Sequence, residues 1–367
     1  MDTLQHQIAL TLIPQVGAVT AKTLVSYCGS AQAVFRATKK DLRKIPGIGS
    51  VIIENIQRSN ALELAERELL FIEEHGIHPL FYTDPRFPAR LLQSYDCPNM
   101  LFYKGSDIGL LNSEKIVSVV GTRQPTEHGK AVCEELIEGL AGFGVLIVSG
   151  LAYGIDVTAH RKSCAINVPN IGVLGHGLGS IYPSAHRSIA FKMLENGGLI
   201  SEYGHKTQPD RENFPMRNRV IAGMCDALIV VETAASGGSM ITASIASRLS
   251  CEVFSVPGRP SDSKSAGCNY LIRTHQAHLI ENAADLASVM RWDEPKVSKR
   301  QQTQLMLNLD PTEHALIDTV RNHPEISIDS LSLALNLPPG ELASRLLALE
   351  FRGALKTLPG KRYVALG

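Results

Sequence analysis

Between residues 114 and 290, short apolar runs rich in β-branched residues recur with helical stretches between them, and this alternation limits the fold more than any other feature. The runs are Ile116 to Val120, Val145 to Ser149, Ile171 to Leu174, Leu199 to Ser201, Ala227 to Val231 and Val253 to Val256. Helical stretches include Glu127 to Ala141, Ile155 to Cys164, His186 to Glu195 and Met240 to Arg248. Buried strands alternating with amphipathic helices predict an α/β fold built on a doubly wound parallel sheet. Such sheets bind ligands outside the carboxyl ends of their strands.

Glycine-rich turns accumulate at those ends. They read Val120-Gly-Thr-Arg123, Ser149-Gly-Leu-Ala-Tyr-Gly-Ile-Asp156, Leu174-Gly-His-Gly-Leu-Gly179 and Glu232-Thr-Ala-Ala-Ser-Gly-Gly-Ser-Met240. Each follows a predicted strand and opens towards a helix, so its main-chain N–H groups can face an anion. Gly121, Thr122, Ser149, Gly150, Gly237, Gly238 and Ser239 are therefore candidate phosphate-facing positions, and Arg123 can reach the same cleft. A dinucleotide fingerprint is the competing reading. Its only candidate, Gly175 to Gly179, has Ser180 where the third glycine belongs and follows the third strand, and no Gly-x-x-x-x-Gly-Lys-Ser/Thr loop exists. No cofactor is expected.

One further stretch combines cations with an aromatic. Arg211-Glu-Asn-Phe-Pro-Met-Arg-Asn-Arg219 sets Arg211, Arg217, Asn218 and Arg219 around Phe214. Guanidinium groups fork onto phosphates or stack on bases, and a ring beside them offers a face to an unpaired base. Pro215 is expected to hold Phe214 in an extended turn, with the helix starting near Asn218.

With 36 basic and 36 acidic residues among 367, bulk charge cannot hold a polyanion, and a local patch must do so. Seven cysteines without a Cys-x-x-Cys spacing fit a reduced, cytoplasmic chain with neither a disulfide framework nor a zinc site. His275 and His278 have a spacing found in metal sites but no third ligand nearby in sequence, and they read as a solvated turn. Neither a signal pattern nor a membrane-length apolar run is present, so a membrane partner is not expected.

The flanks differ in character. Residues 1–80 read as helical, with two related glycine turns, Leu12-Ile-Pro-Gln-Val-Gly-Ala18 and Ile45-Pro-Gly-Ile-Gly-Ser50; Gln15 stands where the second copy has Gly47. Residues 81–290 hold the central domain, beginning with a turn-rich lead-in that has one short strand, Met100 to Tyr103. A polar linker at 291–308 precedes a small domain at 309–367, with helices at Pro311 to Asn322, Ile328 to Leu335 and Pro339 to Phe351 and a two-stranded turn. Its last helix carries Glu341 and Glu350 against Arg345. That charge favours a protein contact, or a weak duplex contact through Lys356, Lys361 and Arg362.

These motifs, taken in order through Phe214-Pro-Met-Arg-Asn-Arg-Val-Ile-Ala-Gly223, Ser236-Gly-Gly-Ser-Met-Ile-Thr-Ala243, Val256-Pro-Gly258 and Gly267-Cys-Asn-Tyr-Leu-Ile272, resemble the DNA-processing protein A family (DprA, also called Smf). The resemblance implies a Rossmann-like central domain, a helix-hairpin-helix (SAM-like) domain in front and a winged helix behind. It also implies a non-enzymatic protein of natural transformation, which binds and shields incoming single-stranded DNA, helps load the RecA recombinase, and forms a homodimer through the central domain. By position, Arg123, Arg211 and Phe214 would hold the strand. The resemblance leaves open how Arg217 and Arg219 divide between DNA contact and support.

A nucleotide-cleaving phosphoribohydrolase on the same kind of fold is the alternative. Glu232, Ser236, Gly237, Gly238 and Thr242 could surround a phosphate, with Glu202, Asp156 or His160 as acid and base. The helix after the glycine turn, however, opens Met240-Ile-Thr-Ala without a carboxylate, and Asp156 and His160, four apart, are expected to brace each other.

Overall fold

A computed structural model describes residues 4–292, 310–323, 326–351, 355–358 and 362–365. Two left-handed turns organise its first helices. α1 (Leu4–Leu12) and α2 (Ala18–Cys28) flank Ile13-Pro-Gln-Val-Gly17; α3 (Ala31–Arg36) and α4 (Lys39–Leu42) lead to Ile45-Pro-Gly-Ile-Gly49, followed by α5 (Ser50–Arg58) and α6 (Ala61–His75). Gln15 at φ 65° and Gly47 at φ 79° take the same conformation. In both turns the N–H after that residue reaches back to an isoleucine carbonyl, Val16 to Ile13 at 3.1 Å and Ile48 to Ile45 at 3.2 Å. The two hairpins are therefore equivalent despite the substitution. Burial of Ile13, Val16, Ile45 and Ile48 in one core holds Gln15 where glycine is usual.

The turn-rich lead-in contains two strands where the sequence implied one. β1 (His78–Phe81) pairs antiparallel with β2 (Met100–Gly105). Pro79 obscured β1, yet an edge strand tolerates a residue that lacks an N–H. The sheet continues through β3 (Ile116–Val120), β4 (Leu146–Ser149), β5 (Asn170–Leu174), β6 (Gly197–Ser201), β7 (Ala227–Val230), β8 (Glu252–Ser255) and β9 (His278–Leu279). Its helices are α7 (Glu127–Ala141), α8 (Ile155–Ala165), α9 (Arg187–Met193), α10 (Asn213–Gly223), α11 (Gly238–Arg248), α12 (Ala266–Arg273) and α13 (Ala283–Val289).

Strand order is β1-β2-β6-β5-β4-β3-β7-β8-β9, parallel from β6 to β9, with β1 and β2 as an antiparallel margin. β3 is buried along its whole length and shows why the pattern of apolar runs was readable. Val117 and Val119 pack with α7, α8 and α13, whereas Ile116 and Val120 pack with α10, α11 and α12. Ser118 on the second face donates to the Ile221 carbonyl at 2.9 Å and ties α10 to the sheet. The chain reverses direction across the sheet between β3 and β7, and the turns after these two strands form the crevice of a doubly wound fold.

The helical N-terminus and the sheet belong to one compact unit, residues 1–295. They share a core: Phe81, Met100 and Phe102 pack with Ile8, Leu10, Ile53 and Ile72. Across the same boundary Glu68 of α6 accepts from the His205 backbone N–H at 2.8 Å and meets its ring Nδ1 at 2.7 Å, while that ring stacks on Phe71 at 4.2 Å.

A second unit spans residues 296–367. α14 (Pro311–Asn322), capped reciprocally by Asp310 and Glu313, precedes β10 (Ile326–Ser327), α15 (Ile328–Leu335), α16 (Pro339–Phe351), β11 (Leu355–Leu358) and β12 (Arg362–Ala365). The sheet is three-stranded, order β10-β12-β11, adding a strand to the expected two-stranded turn. Arg345 on α16 is held by Asp310 and Glu341, and the Glu350 carboxylate accepts from Thr357. Lys361, and the linker from residue 293 onward, lie outside the described residues. Among the described residues no helix is long and apolar enough to cross a membrane.

Candidate nucleic-acid interface

α10 starts at Asn213 rather than near Asn218, so Phe214 and Pro215 are helical. Pro215 falls in the first turn, where its missing N–H has no intrahelical acceptor to lose. The expectation of an extended Phe214 fails because tertiary packing outweighs the preference of a residue before proline. The ring lies on Gly175, where a Cβ would come within 2.9 Å of Phe214 Cδ1. Phe214 is half-buried, and Arg123 and Arg211 are exposed.

The Arg123 guanidinium carbon stands 5.5 Å from the Phe214 ring centroid. Tyr182, 48 % exposed, lies 6.0 Å from the same ring with the planes 30° apart. A cation and two rings thus make one stack at the carboxyl edge of the sheet. Tyr182 went unassigned in the sequence, because nothing local placed it beside Phe214.

Arg217 and Arg219, whose division between DNA contact and support the sequence left open, are both buried. Arg217 is 4 % exposed; it donates to the carbonyls of Gly150, at 2.6 Å, and Val173, and its Nε to Asn218 Oδ1 at 3.2 Å. Arg219 donates to the Asp96 carbonyl and the Glu202 carboxylate. Buried guanidinium groups fixed on carbonyls support the frame beneath the exposed cations. Ser149 and Gly150 are likewise buried rather than phosphate-facing: Ser149 donates to the Val119 carbonyl at 2.6 Å, and a Cβ on Gly150 would strike Asp156 and Arg217.

Asp156 sits against Arg217 in this frame. Burial pushes its carboxyl above the ordinary carboxylate range while Arg217 pulls it down, and burial brings Arg217 itself down to about 10. The expected Asp156–His160 brace does not form. Asn170 spends its amide N–H on the Val168 carbonyl, leaving its Oδ1 to accept from His160 Nδ1 at 2.9 Å. Glu232 accepts from the Thr126 N–H at 2.9 Å and the Thr126 hydroxyl at 2.5 Å, which staples the start of α7 to the end of β7.

Gly121, Thr122 and Arg123 after β3 meet Gly237, Gly238 and Ser239 after β7 around a cavity of about 350 Å³, with Asn218 and Thr242 also in its wall. α11 begins here without a side-chain cap. Its first N–H groups therefore carry positive potential into the cavity. Elsewhere His278 pairs with Glu252 at 3.1 Å, and among the described residues no three His, Cys, Asp or Glu side chains gather as a metal site.

A parallel sheet with glycine turns and a cation–aromatic stack at its carboxyl edge, in one chain with paired helical hairpins and a winged helix, defines a nucleic-acid-handling protein. The chain belongs to the DNA recombination-mediator protein A family, DprA/Smf, whose model matches residues 78–291. A helix-hairpin-helix motif matches residues 8–59 and a DprA winged helix domain residues 300–361. Protein Smf of Synechocystis is 32 % identical over 394 aligned residues, covering 98 % of both chains. DNA processing protein DprA of Streptococcus pneumoniae is 39 % identical over 203 residues, 55 % of this chain and 71 % of the relative. The crystal structure of the Streptococcus pneumoniae protein superposes with a TM-score of 0.68 at 30 % identity, covering 78 % of this chain and 98 % of that one. A Helicobacter pylori DNA processing protein A structure, described for its single-stranded DNA binding mode, gives a TM-score of 0.54 at 29 % identity, covering 59 % and 96 %.

Proposed function

We propose that this protein is a cytoplasmic, single-stranded DNA-binding recombination mediator of natural transformation. It shields incoming strands and helps load the RecA recombinase, working as a homodimer joined through the central domain. The observation that carries the reading is the stack of Arg123, Phe214 and Tyr182 beside the glycine turns. Rings accept any unpaired base, and exposed guanidinium groups accept phosphates without reading sequence. In this assignment Arg123 and Arg211 hold phosphates, and N–H groups at Gly121, Thr122, Gly237 and Gly238 assist them. Phe214 and Tyr182 hold bases, with Arg217 and Arg219 supporting from below. Family membership and the single-strand binding of the Helicobacter pylori relative agree with this reading.

The phosphoribohydrolase reading has less support, because Glu202, Glu232 and His160 are bonded into the scaffold. Anisotropy titration of a labelled oligothymidylate against a duplex of equal length tests the proposal. Tight, salt-sensitive binding of the single strand over the duplex is the expected result. Equal or no binding of the two would reject it.

A further inference from the structure

The cavity between β3 and α11 contains a feature that strand binding along the exposed stack leaves unused. Ser239, only 6 % exposed, presents an Oγ with no hydrogen-bond partner, and it lines the cavity in the first turn of α11. A buried hydroxyl without a partner forfeits about 1–3 kcal/mol unless something enters to bond it. Around it, a Cβ at Gly238 would meet nothing within 4 Å, so the backbone there is open to close approach. The deep wall is closed by Val120, Ile221 and Thr242, all nearly fully buried. Arg123 and Arg217 set two guanidinium groups against the single carboxyl of Asp156.

A strand passing along the stack offers this cavity only internal phosphodiesters, each with a chain leaving on both sides, so they reach its mouth and not its buried wall. A terminal phosphate has a chain on one side only, and near neutral pH it carries close to two negative charges instead of one. It also offers three oxygens to the Ser239 hydroxyl, the helix N–H groups and Arg123. The volume, near the lower end for small-ligand sites, admits a nucleotide.

We propose that this cavity is a phosphomonoester site, which takes the terminal phosphate of a nucleic-acid strand or of a free mononucleotide. The strand-end form rests on the single-strand reading above. Two oligothymidylates differing only in a 5′-phosphate or 5′-hydroxyl, and thymidine monophosphate alone, are titrated into the full-length protein and into Ser239→Ala. Because Ser239 Oγ has no partner to lose, the variant keeps the fold, which a melting curve checks.

The phosphorylated oligomer is expected to bind about tenfold more tightly, the difference that one charge-assisted hydrogen bond supplies, and Ser239→Ala to bring that ratio to about one. Phe214→Ala should weaken both oligomers and leave the ratio standing, which separates this site from the aromatic stack. If the ends bind alike, or neither oligomer binds, Ser239-dependent binding of thymidine monophosphate assigns the site to the free nucleotide. Neither an end preference nor Ser239-dependent mononucleotide binding would overturn the proposal.

Discussion

The Arg123 guanidinium lies over the Phe214 ring at 5.5 Å, joining the turn after β3 to the first turn of α10. Phe214→Ala is expected to cost about 1–3 kcal/mol of single-strand affinity. Arg123→Ala should reduce the salt dependence by about 0.7 of a log–log unit, the share of one phosphate contact on a single strand. Titrations at several salt concentrations measure both effects. Parent-like binding by the two variants would remove the stack from the interface.

Tyr182 extends the ring surface, so its ring and not its hydroxyl should matter. Tyr182→Ala is expected to lose about 1 kcal/mol or more of single-strand affinity, with Tyr182→Phe staying near the parent. A loss shared equally by both variants would point to the hydroxyl instead.

Arg217 is expected to act through folding. Arg217→Met takes the stronger of two counter-charges from buried Asp156 and the donor from the Gly150 and Val173 carbonyls, and the expected destabilisation is about 3–5 kcal/mol. Urea unfolding reads this, with Arg123→Ala as an exposed control that melts like the parent. An Arg217→Met protein of normal stability and lost DNA binding would return Arg217 to the strand.

His160 gives a signed pH dependence. Burial holds its imidazole neutral, bringing the pKa from 6.5 down to about 4. Between those values the unfolded chain takes up a proton that the folded chain refuses, so stability falls as pH drops through this window. At about 1.4 kcal/mol per unit, the loss reaches about 3 kcal/mol by pH 4. His160→Gln should show a smaller fall between pH 7 and 4.5 in urea midpoints, and an unchanged fall would assign the titration elsewhere.

Gln15 occupies a conformation that its twin turn gives to Gly47. Gln15→Gly should stabilise the protein by about 1 kcal/mol, the relief of a left-handed side-chain clash less the extra freedom glycine has when unfolded. A lowered denaturation midpoint would show that the side chain makes a compensating contact.

The sheet was legible because β3 and its parallel neighbours are buried on both faces and must read as unbroken apolar runs. β1 was not, since His78-Pro-Leu-Phe resembles a turn until the neighbouring strand is known. At the site, Arg123, Arg211 and Phe214 could be singled out from residue type and spacing. What separates Arg217 from Arg123 is burial against carbonyls, and Gly150 and Val173 are brought to Arg217 only by tertiary structure. Tyr182 needed the same long-range information, and so did the helical state of Phe214.

Phe81, Met100 and Phe102 lie in the core that the N-terminal helices close. Cutting the chain just before His78 would turn that shared wall into an open greasy face, so the shortened protein should clump unless another surface covers it. The hairpin module thus serves as a lid on the sheet's margin whether or not it ever meets a phosphate, and losing it would be felt first as insolubility.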